Sequence, residues 1–212
     1  MAPSQAITTL FVDVGNVLLT DSWGPAMRQK ALEVFQFDLA DVAKRSQLTF
    51  EGYEEGNISL DEYLSWVVFH EERPFTREAV TAFMLAQSQP MPEMLDLVRA
   101  LKARYGLKVV VVTNDGREFI VHRIKQFGLK EFVDCFIVSC FVHARKPEPA
   151  IYRMALDIAQ VEPTEVVYVD DQALFVEVAQ RLGMHGIHHT SYDTTLAALA
   201  AFGLSLTEER RR

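Results

Sequence analysis

An apolar run near the start of the chain ends directly on a carboxylate. Residues 7–12 read Ile-Thr-Thr-Leu-Phe-Val, and Asp13 follows at once. Such a run is typical of a strand that is buried on both faces of a parallel sheet. Ligands bind just beyond the carboxyl ends of such strands, where a bare carboxylate can serve as a metal ligand, a nucleophile or both. Asp13 is therefore the first candidate site residue.

Four further apolar runs resemble the first, and helical patterns separate the later ones. We predict strands at residues 7–12, 108–112, 134–139, 166–169 and 186–189. Apolar stripes at helical spacing lie between these runs from about residue 92 onward, and Gly106, Gly128 and Gly183 follow three of the stripes as stop signals. This alternation predicts an α/β fold built on a parallel, Rossmann-like sheet.

Residues 20–89 interrupt the alternation, because they contain helical patterns and many aromatic residues but no strand pattern. Ser59 followed by Glu62 has the spacing of a capping box, which marks the start of a helix. We predict that residues 20–89 form a helical cap inserted after the first strand, above Asp13. Residues 1–19 and 90–212 would then form the core domain.

Composition restricts the partners of the chain. Of its 212 residues, 49% are hydrophobic and 24% charged, which is ordinary for a globular protein. The net charge of −8 argues against a nucleic-acid surface, and no apolar stretch reaches membrane-spanning length. Cys135 and Cys140 lie in or beside an apolar run, which favours free thiols and a cytoplasmic location. The sequence does not indicate an oligomeric state.

Three more polar motifs lie at or just after predicted strand ends. They are Thr113-Asn114, Lys146 before Pro147, and Asp170-Asp171. Each has an ordinary explanation, since a strand-end Asp often caps a helix, a Thr-Asn pair often forms a turn, and a lysine before proline is usually solvated. Together they would bring carboxylates, a hydroxyl, an amide and a cation to one edge of the sheet.

These motifs, in this order, resemble those of the haloacid dehalogenase-like (HAD-like) superfamily, whose members are mostly phosphatases. The resemblance spans nearly the whole chain, and residues 20–89 look like the first-position cap of that family. The segments that carry the resemblance are Phe11-Val12-Asp13-Val14-Gly15-Asn16-Val17-Leu18, Val112-Thr113-Asn114, Arg145-Lys146-Pro147-Glu148 and Val169-Asp170-Asp171.

The resemblance implies a role for each residue that would meet the phosphate. Asp13 would attack phosphorus and become an aspartyl-phosphate. Lys146 would neutralise both Asp13 and the transferring group. Thr113 and the backbone amide of Asn114 would bind phosphoryl oxygens, and Asn16 is a further candidate for binding substrate or water. The implied substrate is a small phosphorylated metabolite.

The resemblance also implies a Mg²⁺ cofactor. Asp13, Asp171 and the backbone carbonyl of Gly15 would hold the ion, with Asp170 close by, because Mg²⁺ prefers hard oxygen ligands. Without a metal, several carboxylates around one phosphate would repel the substrate.

Two positions depart from the family pattern. Most phosphatases of the family carry a general acid/base Asp two residues after the nucleophile, and this chain has Gly15 there. Losing such a group typically lowers the rate by about 10²- to 10⁴-fold. The family often has Asp or Asn four residues after the Asp171 position, and this chain has Phe175, so we expect weaker metal binding. Without the donor, we expect substrates with good leaving groups, such as acyl, aryl or anomeric phosphates, to be favoured. The second step would then need another base, either water ordered by Asn16 or a group from the cap.

Three functions remain compatible with these residues. The first is a Mg²⁺-dependent phosphatase. The second, which Gly15 and Phe175 favour, is a catalytically impaired member that binds a phosphorylated ligand or a protein partner. The third is a 2-haloacid dehalogenase, in which Asp13 would displace halide; the Asp170-Asp171 pair argues against it, because that chemistry uses no metal.

Two other groups of residues invite a functional interpretation. His185, His188 and His189 could suggest a metal site, but strand alternation sends His188 and His189 to opposite faces. Four polar or aromatic residues of the cap are candidates for substrate contact, against the simpler interpretation that they belong to its core and surface: Trp23, Trp66, His70 and Arg73.

Overall fold

A five-stranded parallel sheet forms the centre of the molecule. The computed structural model describes residues 6–21 and 23–206, so residues 1–5 and 207–212 of the predicted core lie outside the described residues. The strand order is β3-β2-β1-β4-β5, and every neighbouring pair is parallel. The predicted α/β fold is confirmed. The strands are β1 Thr9–Val12, β2 Lys108–Thr113, β3 Cys135–Val138, β4 Val166–Asp170 and β5 His185–His188.

Ten α-helices accompany the sheet in the described part of the chain. Four of them, α1 to α4, lie between β1 and α5. The helices are α1 Pro25–Phe35, α2 Leu39–Glu54, α3 Leu60–Val67, α4 Arg77–Ala86, α5 Pro92–Tyr105, α6 Arg117–Gln126, α7 Ser139–Val142, α8 Pro149–Ala159, α9 Ala173–Arg181 and α10 Tyr192–Ala201. None of these helices has the combined length and apolar character needed to cross a membrane.

Helices cover both faces of the sheet, which explains why its strands lack a polar face. Leu10 and Val12 of β1 pack with α5, α6 and α10, while Phe11 between them packs with α8 and α9 on the opposite face. Successive side chains of a strand point to opposite faces, so each strand must supply apolar residues to both clusters.

Residues predicted to end or begin helices do so in the structure. Gly106 ends α5 in a left-handed conformation (φ 66°), which costs glycine little because it has no Cβ. Pro149 opens α8, where its missing N–H leaves no helical hydrogen bond unmade. The sequence pattern did not reveal α10, because Tyr192–Ala201 is rich in alanine and has little contrast between an apolar and a polar face.

The helical insert, defined as α1 to α4, has an apolar cluster of its own. Its largest members include Trp23, Tyr53 and Tyr63, and Phe119 of α6 packs into it from the core side. The capping box at Ser59 is present at the start of α3, with the predicted reciprocal bonds to Glu62. That residues 20–89 form a separate domain stays a prediction.

The chain enters and leaves the helical insert through two segments that lie side by side. The Thr20 N–H donates to the Gln89 carbonyl (2.8 Å), and the Met91 N–H donates to the Leu18 carbonyl (2.9 Å). Leu19 and Pro90 form an antiparallel bridge between them. We call residues 18–20 and 89–91 the connecting pair. It joins the insert to the carboxyl end of the sheet, where the predicted site lies.

Candidate active site

A cavity of about 210 Å³ opens at the carboxyl end of the sheet, between the strand ends and the helical insert. The strand ends of β1, β2 and β4 supply Asp13, Thr113 and the Asp170-Asp171 pair, while Lys146 comes from the loop before α8. All but one of the predicted site residues line the cavity: Asp13, Gly15, Asn16, Thr113, Asn114, Lys146 and Asp171. The exception, Asp170, lies behind them.

Lys146 lies between two carboxylates. Its Nζ is 3.0 Å from Asp13 Oδ1 and 2.6 Å from Asp170 Oδ2, and its side chain is 1% exposed. Burial alone would lower the pKa of Lys146, but the charges of Asp13 and Asp170 outweigh it and raise that pKa above its usual range. The lysine is therefore a fixed positive charge beside Asp13.

Asp13 is held in one orientation but is poorly solvated. Its Oδ1 accepts from Lys146 and from the N–H of Val14 (2.8 Å), and Thr113 donates a further side-chain hydrogen bond to the carboxylate. Burial and the nearby charge of Asp170 raise the pKa of Asp13 to about 7, although Lys146 and Thr113 act in the opposite direction. Additional positive charge would therefore favour its ionised form.

The acidic cluster fits a hard divalent cation. Asp13, Asp170 and Asp171 each offer a carboxylate oxygen, and these oxygens lie within 4.8 Å of one another. Lys146 is the cation in contact with Asp13 and Asp170, so the three acids exceed it in charge. Clustered carboxylate oxygens with excess negative charge suit Mg²⁺. The Gly15 carbonyl stays a predicted ligand.

Asp170 and Asp171 are adjacent but differ in accessibility. Asp170 is fully buried and accepts from Lys146, from the Tyr168 hydroxyl and from the Gln172 N–H (2.8 Å). Asp171 lines the cavity, and its Oδ2 accepts from Asn16 Nδ2 (3.0 Å). Asp170 thus serves mainly to hold Lys146, whereas Asp171 has oxygen available to the cavity.

The side chain of Asn114 orients the backbone of Lys146. Its Nδ2 donates to the Lys146 carbonyl (2.9 Å), and its Oδ1 accepts from the Lys146 N–H (2.8 Å). This two-point contact joins the end of β2 to the loop that carries the lysine. The predicted use of the Asn114 backbone amide stays a prediction, and it is compatible with this role of the side chain.

The two departures from the family pattern have different surroundings. A Cβ built on Gly15 would meet no atom within 4 Å, so the position has room for a side chain that this chain lacks. Phe175, by contrast, is packed against the site: its ring centroid is 5.1 Å from Lys146 Nζ, a cation–π distance. Where the family often has a polar residue, this chain has an aromatic ring in contact with Lys146.

The other candidate residues mostly lie away from the cavity. Of the four from the cap, Trp23 lines it; Trp66 is 49% exposed elsewhere. His70 pairs with Asp41 (3.1 Å), and Arg73 donates to the Val68 carbonyl (2.8 Å). The three C-terminal histidines do not converge, because they contact three separate partners: His185 the Thr164 carbonyl, His188 the Asp171 carbonyl and His189 the Thr195 hydroxyl.

Five charged residues of the cavity wall are not among the predicted site residues, and Asp21 is one of them. The other four form two ion pairs, Glu54 with Arg145 (2.7 Å) and Asp115 with Arg123 (2.7 Å). Arg123 carried a usable signal, because it lies three residues after Ile120, on the buried face of its helix. Glu54 carried none, since it lines the cavity only because the end of α2 packs against the sheet edge.

A model of the family described as haloacid dehalogenase-like hydrolases matches residues 7–183. The chain therefore belongs to the haloacid dehalogenase-like hydrolases, a family of enzymes.

Individual relatives match different shares of the chain. The chain is 28% identical over 181 residues to the sesquiterpene phosphatase astK of Aspergillus oryzae, covering 84% of this chain and 87% of that protein. It is 30% identical over 127 residues to acyl-CoA dehydrogenase family member 10 of Mus musculus, covering 56% of this chain. The match spans only 11% of the mouse protein.

Solved structures share the fold. A HAD family enzyme of Bacteroides thetaiotaomicron, solved with magnesium and inorganic phosphate, superposes with a TM-score of 0.72 at 22% identity. The alignment covers 86% of this chain and 93% of that one.

Proposed function

We propose that this chain is a Mg²⁺-dependent phosphatase that removes phosphate from a small phosphorylated metabolite through an aspartyl-phosphate on Asp13. The observation that carries the proposal is the Asp13 carboxylate, held 3.0 Å from the buried ammonium of Lys146 at the floor of a cavity. A phosphatase among the relatives, and a structural neighbour solved with magnesium and phosphate, support the same reaction class.

The residues of the site divide the work of phosphoryl transfer. Lys146 and the Val14 N–H bind Oδ1 of Asp13, so Oδ2 is the oxygen that attacks phosphorus as the bond to the leaving group breaks. Lys146 also offsets the charge of the transferring group. When substrate binds, the Thr113 hydroxyl would turn from Asp13 to a phosphoryl oxygen, and the backbone N–H of Asn114 would donate to another.

Asp13, Asp171 and the Gly15 carbonyl would hold the Mg²⁺. When bound, the ion supplies the positive charge that lets several carboxylates and a phosphate share one site. Asp170 keeps Lys146 in place behind them.

The size of the cavity favours a small substrate. Pockets for drug-sized ligands measure roughly 300–1,000 Å³, and this one measures about 210 Å³. The phosphoryl group would occupy the polar floor near Lys146, and the remainder of the substrate would contact Trp23 and Phe50 of the insert wall.

A panel of phosphate esters and 2-haloacids, assayed with and without Mg²⁺, tests the proposal. We expect Mg²⁺-dependent phosphate release that Asp13→Asn abolishes. Asp157→Asn, an exposed change of the same type on α8, should leave it intact. Metal-independent halide release would instead identify a dehalogenase.

A second candidate function is the binding of a phosphorylated ligand without hydrolysis of its phosphate. The observation that favours it is the missing carboxyl at Gly15, where the site has room for one. Binding of inorganic phosphate in the presence of Mg²⁺, with no release from any ester, would favour this candidate over the phosphatase.

A further inference from the structure

The proposed reaction needs a proton donor that position 15 does not supply. Expulsion of an alkoxide is slow unless the leaving oxygen is protonated, and hydrolysis of the aspartyl-phosphate needs a base for the attacking water. Any group that acts as this proton donor and base must reach the cavity that contains Asp13. Besides the cluster already described, three carboxyl side chains line that cavity within the described residues: Asp21, Glu54 and Asp115.

Building on the phosphatase reaction proposed above, we propose that Glu54, at the end of α2, is its general acid and base, in place of the carboxyl missing at Gly15. Glu54 lines the same cavity as Asp13, and its side chain is 13% exposed. It belongs to the helical insert, so the proton would come from the insert side of the cavity and not from the strand end that carries Asp13.

Contacts on both sides fix the position of Glu54. Arg145 Nη2 binds Oε2 at 2.7 Å, and the Ser139 hydroxyl donates to the Glu54 backbone carbonyl at 2.6 Å. Among the described residues no hydrogen bond engages Oε1, the second carboxyl oxygen. Because Arg145 precedes Lys146 in the chain, one short loop contacts both the proposed acid, through Arg145, and the nucleophile, through Lys146.

The surroundings of Glu54 suit a group that must both give and take a proton. Burial raises its pKa to about 7, the charge of Asp115 acts in the same direction, and Arg145 and Lys146 oppose them. Tyr63 is also close, and Glu51 shares Arg145 with Glu54. A carboxyl with this pKa is substantially populated in both forms at neutral pH.

Among the described residues, neither of the other two carboxyls forms an ion pair with the loop that carries Lys146, whereas Glu54 does so through Arg145. Asp115 is 5% exposed and bound by Arg123 at 2.7 Å. The Oδ1 of Asp21 accepts from the Trp23 N–H (3.2 Å) beside the connecting pair.

The proposed steps balance. As Asp13 Oδ2 bonds to phosphorus, the bond from phosphorus to the leaving oxygen breaks, and that oxygen takes the proton of the Glu54 carboxyl. The Glu54 carboxylate then takes a proton from water as the water oxygen bonds to phosphorus. The bond from phosphorus to Asp13 breaks, which frees inorganic phosphate, the Asp13 carboxylate and a protonated Glu54.

Two substrates that differ in leaving group test the role. With Mg²⁺ present, Glu54→Gln should lower kcat/KM for glycerol 3-phosphate by about 10²- to 10⁴-fold. With 4-nitrophenyl phosphate, whose leaving group needs no proton, the same variant should release a burst of about one nitrophenolate per site and then turn over slowly, because only the second step lacks its base. Glu51→Gln removes the other carboxylate on Arg145 and is the matched control, with both substrates expected within about twofold of wild type.

The outcomes separate this inference from the phosphatase proposal. Wild type that releases no phosphate, or Asp13→Asn that still does, overturns the phosphatase proposal. An active wild type and an inactive Asp13→Asn, combined with an equal loss on both substrates and no burst in Glu54→Gln, overturns the role of Glu54 alone. The same holds if Asp21→Asn, and not Glu54→Gln, shows the burst.

The pH profile of the wild type provides a measurement that needs no folded variant. Above about pH 7, kcat/KM for glycerol 3-phosphate should fall as Glu54 loses its proton, whereas kcat/KM for 4-nitrophenyl phosphate should not. Identical profiles for the two substrates would exclude Glu54 as the acid.

Discussion

The buried pair of Arg123 and Asp115 offers a quantitative test of how the site is held. Arg123 is 3% exposed and donates to Asp115 (2.7 Å), to the Ser88 hydroxyl (2.9 Å) and to the Thr20 carbonyl (3.1 Å). Arg123→Leu keeps an apolar side chain on the buried face of α6 but leaves the Asp115 carboxyl without its cation. Removing one partner of a buried pair typically destabilises a protein by about 3–5 kcal/mol.

The loss should depend on pH in a defined direction. Burial raises the pKa of Asp115 to about 6 from its usual value of 3.8, even though Arg123 opposes the rise. A carboxyl with a raised pKa contributes its stability below about pH 4, and loses it as the pH rises through the folded-state value. Without Arg123 that pKa rises further, so Arg123→Leu should be most harmful near pH 8 and less harmful near pH 5.

Urea unfolding at pH 5 and pH 8 measures the effect. At pH 8 we expect Arg123→Leu to lower the free energy of unfolding by about 3–5 kcal/mol. This loss is equivalent to a fall in Tm of about 6–20 °C, at about 2–4 °C per kcal/mol. The control is the double variant Arg123→Leu/Asp115→Asn, in which no buried charge remains; it should recover at least half of the loss. A loss below about 1 kcal/mol, or strict additivity of the two changes, would refute the reasoning.

Three further outcomes follow from the site. A Cβ at position 15 would meet no atom within 4 Å, so the site has room for Gly15→Asp. In the Glu54→Gln background this change should raise turnover of glycerol 3-phosphate at least about 10²-fold, and in the wild type it should raise it less than about tenfold. Equal gains in both backgrounds would contradict a role for Glu54. Lys146→Met leaves two buried carboxylates without their shared cation, so urea unfolding at pH 8 should show a loss of about 3–5 kcal/mol together with loss of phosphate release; retained activity would be inconsistent with the mechanism. Mg²⁺ at about 100 times its Kd should stabilise the wild type by about 2.7 kcal/mol in thermal unfolding, and Asp171→Asn should remove most of that gain; an undiminished gain would place the ion elsewhere.

The sheet could be predicted from the sequence because its strands carry their signal locally. A run such as Leu10-Phe11-Val12 must satisfy apolar surroundings on both faces, which leaves little room for polar residues. Helix α10 was not predicted, because its alanine-rich sequence has no marked apolar stripe. Local patterns therefore revealed the strands and most helix ends, but not a helix whose position depends on tertiary packing.

The site was predictable to the extent that it follows strand ends. Asp13, Thr113 and Asp171 belong to elements that share one edge of a parallel sheet, so their convergence follows from topology. The contact of Asn114 with the Lys146 backbone and the approach of Glu54 depend on how separate segments pack, and residues 32 or more positions apart give no local signal of contact.

The connecting pair has a mechanical consequence for the helical insert. Two independent tethers would let an insert twist as well as tilt, but residues 18–20 and 89–91 are joined by backbone hydrogen bonds. The two segments therefore act as one ribbon, because these hydrogen bonds keep them from sliding past each other. Arg123 donates a hydrogen bond to the Thr20 carbonyl of this ribbon and forms an ion pair with Asp115 in the cavity wall. The Arg123–Asp115 ion pair therefore anchors the base of the helical insert to the wall of the cavity that contains Asp13 and Glu54.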